Sequence, residues 1–466
     1  MKNSNLHPEE IHLIMYSDDN MLFLHTPTLQ LYPLNKDNRE LSDFLQYYKK
    51  NGYDSSISHY GLDRFKELYD FIQNKIDNAP KTVYFKSPER NMEYFTNIVL
   101  PISASCNLNC PYCFAQSDGG FKFSDYSEKD IQEIVDFIVK KNDADTPITL
   151  IFFGGEPLLR FDIIKFTVNY CRKTYPERKF GYSMTTNGTI LNEEVLSFIK
   201  ENNMSILISL DGPDNEFNLR RFKNGRKSID KVIKNLEYIR DAGVRLEIRA
   251  TLVNSNPYIC ETFDFFENLG IPFNVVFAYA SENKSHHYAD YNDDNLRHIA
   301  SQFDELFDFY TKKILNKEPL YNKMLFENIE LIRYRITREV SCSAGVTYFT
   351  IMSNGDIFSC AHFMNNHKYC IGNIKDENIN KEQYVPVPIN QIKECANCWA
   401  KQLCLGGCLA QKIYMGGRCD TAQTKEECKL NKIVWTFYIK MYFHIMQNAP
   451  GYLIKSTEEK DNIINC

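Results

Sequence analysis

The chain lacks a surplus of positive charge, lacks an apolar run long enough to cross a bilayer, and lacks a fourth cysteine beside its tightest cysteine cluster. Its 54 Lys and Arg against 60 Asp and Glu leave a net charge of -6 over 466 residues. That balance argues against nucleic acid as the main partner, because phosphate binding calls for a basic face. No uninterrupted apolar segment approaches the roughly 18 residues needed to span a membrane, and Met1 to Glu10 is polar, without the basic-then-apolar pattern of an export signal. The expectation is a cytoplasmic protein with reduced thiols and no membrane contact. With 43% hydrophobic and 24% charged residues, the chain is long enough to bury a large core in two or three domains.

What the sequence does have is fifteen cysteines, most of them at short spacings. Cys106, Cys110 and Cys113 stand in the run Cys-Asn-Leu-Asn-Cys-Pro-Tyr-Cys-Phe, directly after the strand-like stretch Asn97 to Ala104. Four thiolates close a [4Fe–4S] cluster, so an isolated trio can leave one iron open to a small ligand. A zinc knuckle with a distant fourth ligand is the competing reading. Cys171, Cys260 and Cys466 have no cysteine neighbours and read as buried or incidental.

From Asn97 to about Glu282 short apolar runs alternate with amphipathic stretches, the rhythm of β-α units around a parallel sheet or barrel. Strands are predicted at Asn97 to Ala104, Ile148 to Phe153, Gly181 to Thr186, Ile206 to Leu210, Leu246 to Leu252 and Phe273 to Ala278. Between them, Ser127 and Asp130 form a capping box before Ile131, Ile134, Val135 and Ile138, Asn192 caps a later helix, and Gly243 stops another. Before the barrel, His12 to Tyr16 and Met21 to His25 flank Asp19-Asn20 like a hairpin. Leu41, Phe44, Leu45 and Tyr48 then recur at helical spacing, and a second helix is predicted from Leu62 to Ile76.

The Cys-x3-Cys-x2-Cys spacing with the aromatic Phe114 resembles the signature of the radical S-adenosylmethionine (SAM) enzymes, and six strands fit that family's partial (β/α)6 barrel. The resemblance implies that Cys106, Cys110 and Cys113 hold a [4Fe–4S] cluster whose open iron chelates SAM. It also implies a 5′-deoxyadenosyl radical that takes hydrogen from an unactivated carbon. Gly154-Gly155-Glu156-Pro157, at the end of the second strand, matches the family motif for the methionine amino group. Asn187 in Thr186-Asn187-Gly188 and Ser209 in Ser209-Leu210-Asp211-Gly212-Pro213 supply polar groups at the next strand tips. Arg221, in preference to the adjacent Arg220, and the run Gly225 to Ser228 resemble the segment that helps hold SAM. Phe217 stands where many relatives carry His. Glu247, Arg249 and Thr251 make one face of the fifth strand polar, and Arg249 is a further expected contact; an exposed edge strand would have the same pattern.

Beyond residue 340, Cys342, Gly355, Cys360, Cys395, Cys398, Cys404, Cys408 and Cys428 resemble, nearly gap for gap, the SPASM extension that binds auxiliary [4Fe–4S] clusters. By family position one cluster takes Cys395, Cys398, Cys404 and Cys428, and the other Cys342, Cys360 and Cys408. Relatives with full ligation have a further cysteine just before Cys342, and Arg335 to Ser341 contains none. Cys370, Cys419 or a substrate thiolate can fill that position. Zinc ribbons are the alternative for the paired cysteines.

The implied organisation is a winged-helix-like leader-peptide recognition module at 1–92, a radical SAM barrel at 93–315, a bridge at 316–340, a SPASM domain at 341–430 and a C-terminal helix and tail at 431–466. It resembles the ribosomal-peptide maturases of the thioether-forming type, with three [4Fe–4S] clusters, a precursor peptide as partner and flavodoxin or ferredoxin as reductant. Ala361 stands where the sulfatase maturases carry an aspartate base. Carbon-carbon or carbon-oxygen crosslinking, oxidation of a side chain or small molecule, and a plain electron carrier remain the other readings.

Overall fold

The structure, a computed structural model, describes residues 6–17, 20–85, 94–116, 121–280, 287–376, 379–380 and 383–453. Asp19 of the expected hairpin turn, and Cys466, lie outside the described residues. Six parallel strands follow one another as expected: Asn97–Ser103, Ile148–Gly154, Phe180–Thr186, Ser205–Ser209, Leu246–Leu252 and Phe273–Phe277, each paired with the next. Their apolar side chains pack against the crossover helices. Ile131, Ile134, Val135 and Ile138 of the helix Glu128–Lys141 and Ile98, Leu100, Leu150 and Phe152 of the sheet are all buried in one core. Each such side chain adds roughly 1.5–3 kcal/mol of transfer free energy, so the barrel wall is held by many small terms.

The caps stand where their chemistry predicts. Ser127 Oγ accepts from the Asp130 backbone N–H at 3.3 Å while the Asp130 carboxylate accepts from the Ser127 N–H at 2.8 Å. Asn192 Oδ1 accepts from Val195 N–H at 2.9 Å and starts the helix Glu193–Glu201.

The sheet does not stop at six strands. Tyr348–Ile351 joins the open edge of Asn97–Ser103 in parallel, with Tyr348 opposite Asn97 and Thr350 opposite Val99, and Asp356–Phe358 and Gly372–Asn373 follow antiparallel. Nine strands therefore form one sheet. A partial barrel leaves its first strand with unpaired backbone groups, and the cysteine-rich extension satisfies them. The expected boundary at 430 also needs correction. One helix, Lys425–Asn448, runs across it and packs on the helices Asp293–Leu315 and Lys323–Arg333.

The N-terminal hairpin is larger than expected. Ile11–Ser17, Asn20–His25 and Gln30–Leu34 make a three-stranded antiparallel sheet. Two helices, Arg39–Tyr60, kinked at Gly52, and Leu62–Asp77, cover one face. Phe44, Leu45, Tyr48, Phe65, Leu68, Tyr69 and Ile72 close a core separate from the barrel's. The opposite side of the first strand docks on the rest of the molecule: His12 stacks on Trp399 at 4.0 Å, and Tyr16 Oη meets His444 Nδ1 at 2.9 Å.

Candidate functional site

Cys106, Cys110 and Cys113 lie in the loop that leaves the C-terminal end of the first barrel strand. Cys113 N–H donates to Cys110 O at 3.1 Å, and Leu108 N–H points at Cys106 Sγ at 3.4 Å. Burial pushes the Cys106 thiol up to about 11 and the Cys110 thiol up to about 12, and each thiol also feels the others' charge. Three neighbouring thiols that are neutral on their own become thiolates when an iron or zinc ion binds sulfur in place of the proton, which is lost to solvent. The donor set thus fits the implied cluster. Asn187 braces this loop from the third strand tip, its Nδ2 donating to Asn107 Oδ1 at 2.8 Å while Asn107 Nδ2 donates to Thr189 Oγ1 at 2.8 Å.

The Gly154-Gly155 turn sits against the backbone entering the cysteine loop. A Cβ on Gly154, at φ +130°, would lie 2.5 Å from Ser103 O, and one on Gly155 would lie 2.2 Å from Ser105 O. Only glycine allows that approach.

Two of the expected residues stand in a protein setting of their own. Glu156 is fully buried, and its carboxylate accepts from Thr186 Oγ1 at 2.6 Å, Asn187 N–H at 2.8 Å and Leu158 N–H at 3.1 Å. Burial pushes it up to about 7 against those hydrogen bonds. It latches the tips of the second and third strands together. The second is the arginine pair. Arg220, not Arg221, packs inward beside the trio: its Nε donates to Asp211 Oδ1 at 2.9 Å and its guanidinium lies 5.6 Å from the Tyr112 ring. Arg220 also acts electrostatically on Cys110 and Cys113. Arg221 pairs through its backbone with Lys227 in a small turn. Sequence reasoning missed Tyr112, whose hydroxyl donates to Asp211 Oδ2. The signal was its place between two trio cysteines, where an aromatic has little choice but to pack inward.

Ser209 and Arg249 stand opposite one another on adjacent strands. Arg249 is exposed although its strand lies between two others, and Tyr279, Tyr348 and His362 are half-buried although deep in the fold. Arg249 is the charged neighbour of all three. The accessible space they border is therefore internal, the barrel lumen. Phe114 closes its other side, stacked on His362 at 3.8 Å and facing Phe153 at 5.9 Å.

The cysteines of the second field fall into two neighbourhoods. Cys360 interacts electrostatically with Cys408 and Cys342, and all three adjoin Tyr279. Cys404 interacts with Cys428, Cys395 and Cys398. Burial raises the thiols of Cys395, to about 11, and Cys404, to about 12. Cys370 is drawn elsewhere, toward Asp356 and Gly372. Cys419 lies beside Lys412, whose Nζ donates to its carbonyl at 3.0 Å.

A partial β/α barrel with a three-thiol loop at its mouth, continued edge to edge by a domain with two further thiol sets, defines a class of barrel enzymes equipped for iron–sulfur clusters. The comparisons name it. Residues 100–265 match the model of the Radical SAM superfamily and residues 342–399 match SPASM, an iron-sulfur cluster-binding domain. The chain thus carries a radical SAM domain followed by a SPASM domain, the equipment of an enzyme. It is 27% identical over 351 residues to a cysteine-type anaerobic sulfatase-maturating enzyme of Clostridium novyi, covering 69% of this chain and 89% of that one. It is 24% identical over 415 residues to the radical SAM cyclopropyl synthase TigE of Paramaledivibacter caminithermalis, covering 82% and 81%. A solved structure, native anSMEcpe with bound AdoMet, covers 78% of this chain and 99% of its own at 20% identity with a TM-score of 0.60, a likeness of fold. No helix among the described residues is long and apolar enough to cross a membrane.

Proposed function

We propose that this enzyme is a peptide maturase that joins a carbon of a ribosomally made precursor peptide to a cysteine sulfur. The observation that carries the reading is the lumen, with the Cys106-Cys110-Cys113 loop at one side and the Cys342-Cys360-Cys408 set at the other. When bound, SAM and the first cluster supply a 5′-deoxyadenosyl radical able to take hydrogen from an unactivated carbon. In this assignment Cys106, Cys110 and Cys113 hold that cluster, the Gly154 and Gly155 backbone receives the methionine end, and Arg220 offers its outer guanidinium nitrogens to the carboxylate. Cys395, Cys398, Cys404 and Cys428 hold one auxiliary cluster, and Cys342, Cys360 and Cys408 hold the other, making three in all.

The cysteine missing before Cys342 supports the sulfur chemistry. Cys342 is the exposed residue of its set, and a substrate sulfur entering the lumen would complete the set that lacks a fourth cysteine. Arg249 supplies positive charge there, which favours a thiolate over a thiol. Phe114, Tyr279 and Tyr348 restrict water, which protects a radical from unwanted hydrogen donors. Forming the thioether would remove two hydrogens from the peptide, one as an atom from carbon and one as a proton and an electron from the thiol, and clusters held by the two cysteine sets would supply the acceptor for that electron.

The N-terminal module is assigned to leader recognition. Its last strand, Gln30–Leu34, is an edge of its sheet. A cleft of about 460 Å³ lined by Gln30, Tyr32, Phe71, Asn74 and Lys75 runs between that edge and the helix Leu62–Asp77. An extended peptide can add a strand to the edge and set apolar side chains against Phe71, which is 51% exposed.

The test is oxygen-free reconstitution with SAM, reductant and a cysteine-containing precursor peptide, followed by mass analysis. A loss of two hydrogens together with an alkylation-resistant cysteine is the expected result; a loss of two hydrogens with every cysteine still alkylated assigns a carbon-carbon or carbon-oxygen crosslink instead. Iron analysis is expected to give about twelve irons per chain, four per cubane.

A further inference from the structure

Cys370 is left over from the cluster assignment, and the structure gives it other company. His367 and Cys370 begin and close one short turn, with Cys370 N–H donating to His367 O at 2.9 Å, so imidazole and thiol emerge on the same side. Asp356 opens the neighbouring strand, directly opposite Asn373 in the ladder. One oxygen and one ring nitrogen already lie close: Asp356 Oδ2 is 3.4 Å from His367 Nε2. The ligand atoms of Asp356, His367 and Cys370 all lie within 4.8 Å of one another.

We propose that Asp356, His367 and Cys370 form a mononuclear site for a zinc-class divalent cation, separate from the iron–sulfur cysteines. The donor set is a carboxylate oxygen, an imidazole nitrogen and a thiolate sulfur, three protein ligands of the types that zinc takes when its fourth position is left to water. Metal-ligand bonds of about 2.0–2.3 Å in a tetrahedron require donors about 3.3–3.8 Å apart. The Asp356–His367 pair meets this already, and the thiol reaches it by turning from its present acceptor, Gly372 O at 3.1 Å.

The surroundings support a cation. Asp356 has no Lys or Arg within ion-pair distance among the described residues; its only ionic contact is His367. Asn373 Nδ2 donates to Oδ1 at 2.9 Å and Asn354 Nδ2 donates to Oδ2 at 2.7 Å, fixing the carboxylate plane as outer partners of metal ligands do. The imidazole is 80% exposed, which leaves an entry path and room for a water ligand. Burial and the neighbouring Asp356 carboxylate raise the Cys370 thiol, and a divalent cation offsets both.

The experiment uses the full chain reconstituted with iron and sulfide, equilibrated with zinc chloride and dialysed against a weak chelator. Zinc is counted by elemental analysis and its ligands are read from zinc-edge X-ray absorption. The expected result is one zinc per chain with a single sulfur neighbour near about 2.3 Å. C370S and H367A should each weaken zinc binding by more than about tenfold, the loss already seen for outer partners alone, while iron content and cluster spectra stay unchanged. N373A should weaken zinc without removing a ligand. The proposal is overturned if the chain retains no zinc, if C370S binds it as the parent does, or if the spectrum shows several sulfurs, the mark of zinc in the cluster cysteines. It is equally overturned if C370S loses iron, since Cys370 would then be a cluster ligand.

Discussion

Gly155 shows how little freedom the site leaves to a single position. A methyl group there meets Ser105 O at 2.2 Å and the Phe121 ring at 2.8 Å, and the first of these is backbone that cannot step aside. G155A is expected to destabilise the fold by about 1–3 kcal/mol through overpacking and to abolish SAM binding, read by melting temperature and by equilibrium dialysis with labelled SAM. Lys412 makes the opposite case, a residue whose role comes from charge. It is 3% exposed, has no carboxylate partner within ion-pair distance among the described residues, and acts electrostatically on Cys419, Cys395, Cys408 and Cys342. Burial lowers its pKa, yet a buried ammonium among thiolates offsets negative charge on both sides. K412M should make the auxiliary clusters harder to reduce, moving their midpoint potentials down in a redox titration followed by electron paramagnetic resonance, while K412R should leave them close to the parent.

At the level of elements, the groove between Gln30–Leu34 and Leu62–Asp77 depends on an aromatic that the fold itself does not need. Phe71 lies outside the module's core, so F71E should leave the unfolding free energy within about 0.5 kcal/mol of the parent, as surface changes do. The same change should weaken leader-peptide binding by at least tenfold in fluorescence anisotropy, because a buried aromatic contact contributes about 1.5 kcal/mol or more. The elements also mark what could be read in advance. The six barrel strands and their caps were legible within a residue or so because apolar runs of β-branched residues alternate with Ser127- and Asn192-type helix starts. Gln30–Leu34 was not, since Pro33 within a run argues against a strand and only its edge position makes it acceptable. The strand Tyr348–Ile351 could be guessed as a strand but not as the barrel's neighbour, for pairing across about 250 residues leaves no local trace.

Taken as a whole, the molecule joins its N-terminal module to the rest through the packing of Ile14, Leu22, Leu24 and Leu29 into the main core, the Arg335–Gln30 hydrogen bond and aromatic contacts such as His12 on Trp399. Burial, with Lys49 and Lys432 nearby, lowers His12 from 6.5 to about 3. In the unfolded chain the ring titrates near 6.5, so between that value and about 3 the unfolded state holds the extra proton. The stability from the neutral His12–Trp399 stack is therefore complete above pH 6.5 and declines as pH falls below it. H12F keeps a flat ring without the proton, and its melting temperature relative to the parent should rise as pH is lowered from 7.5 to 5.5.

The cysteines themselves were legible as two ligand sets because spacing is a covalent fact. Choosing Arg220 over Arg221 was not, since neighbouring residues point to opposite sides and only the fold says which side holds the trio. The continuous sheet has a mechanical corollary. Because Tyr348–Ile351 is laced by main-chain hydrogen bonds to the strand from which the Cys106 loop springs, the span from that loop to the cysteines beyond Tyr348 is a rigid length, and neither half can swing without tearing the ladder that holds both.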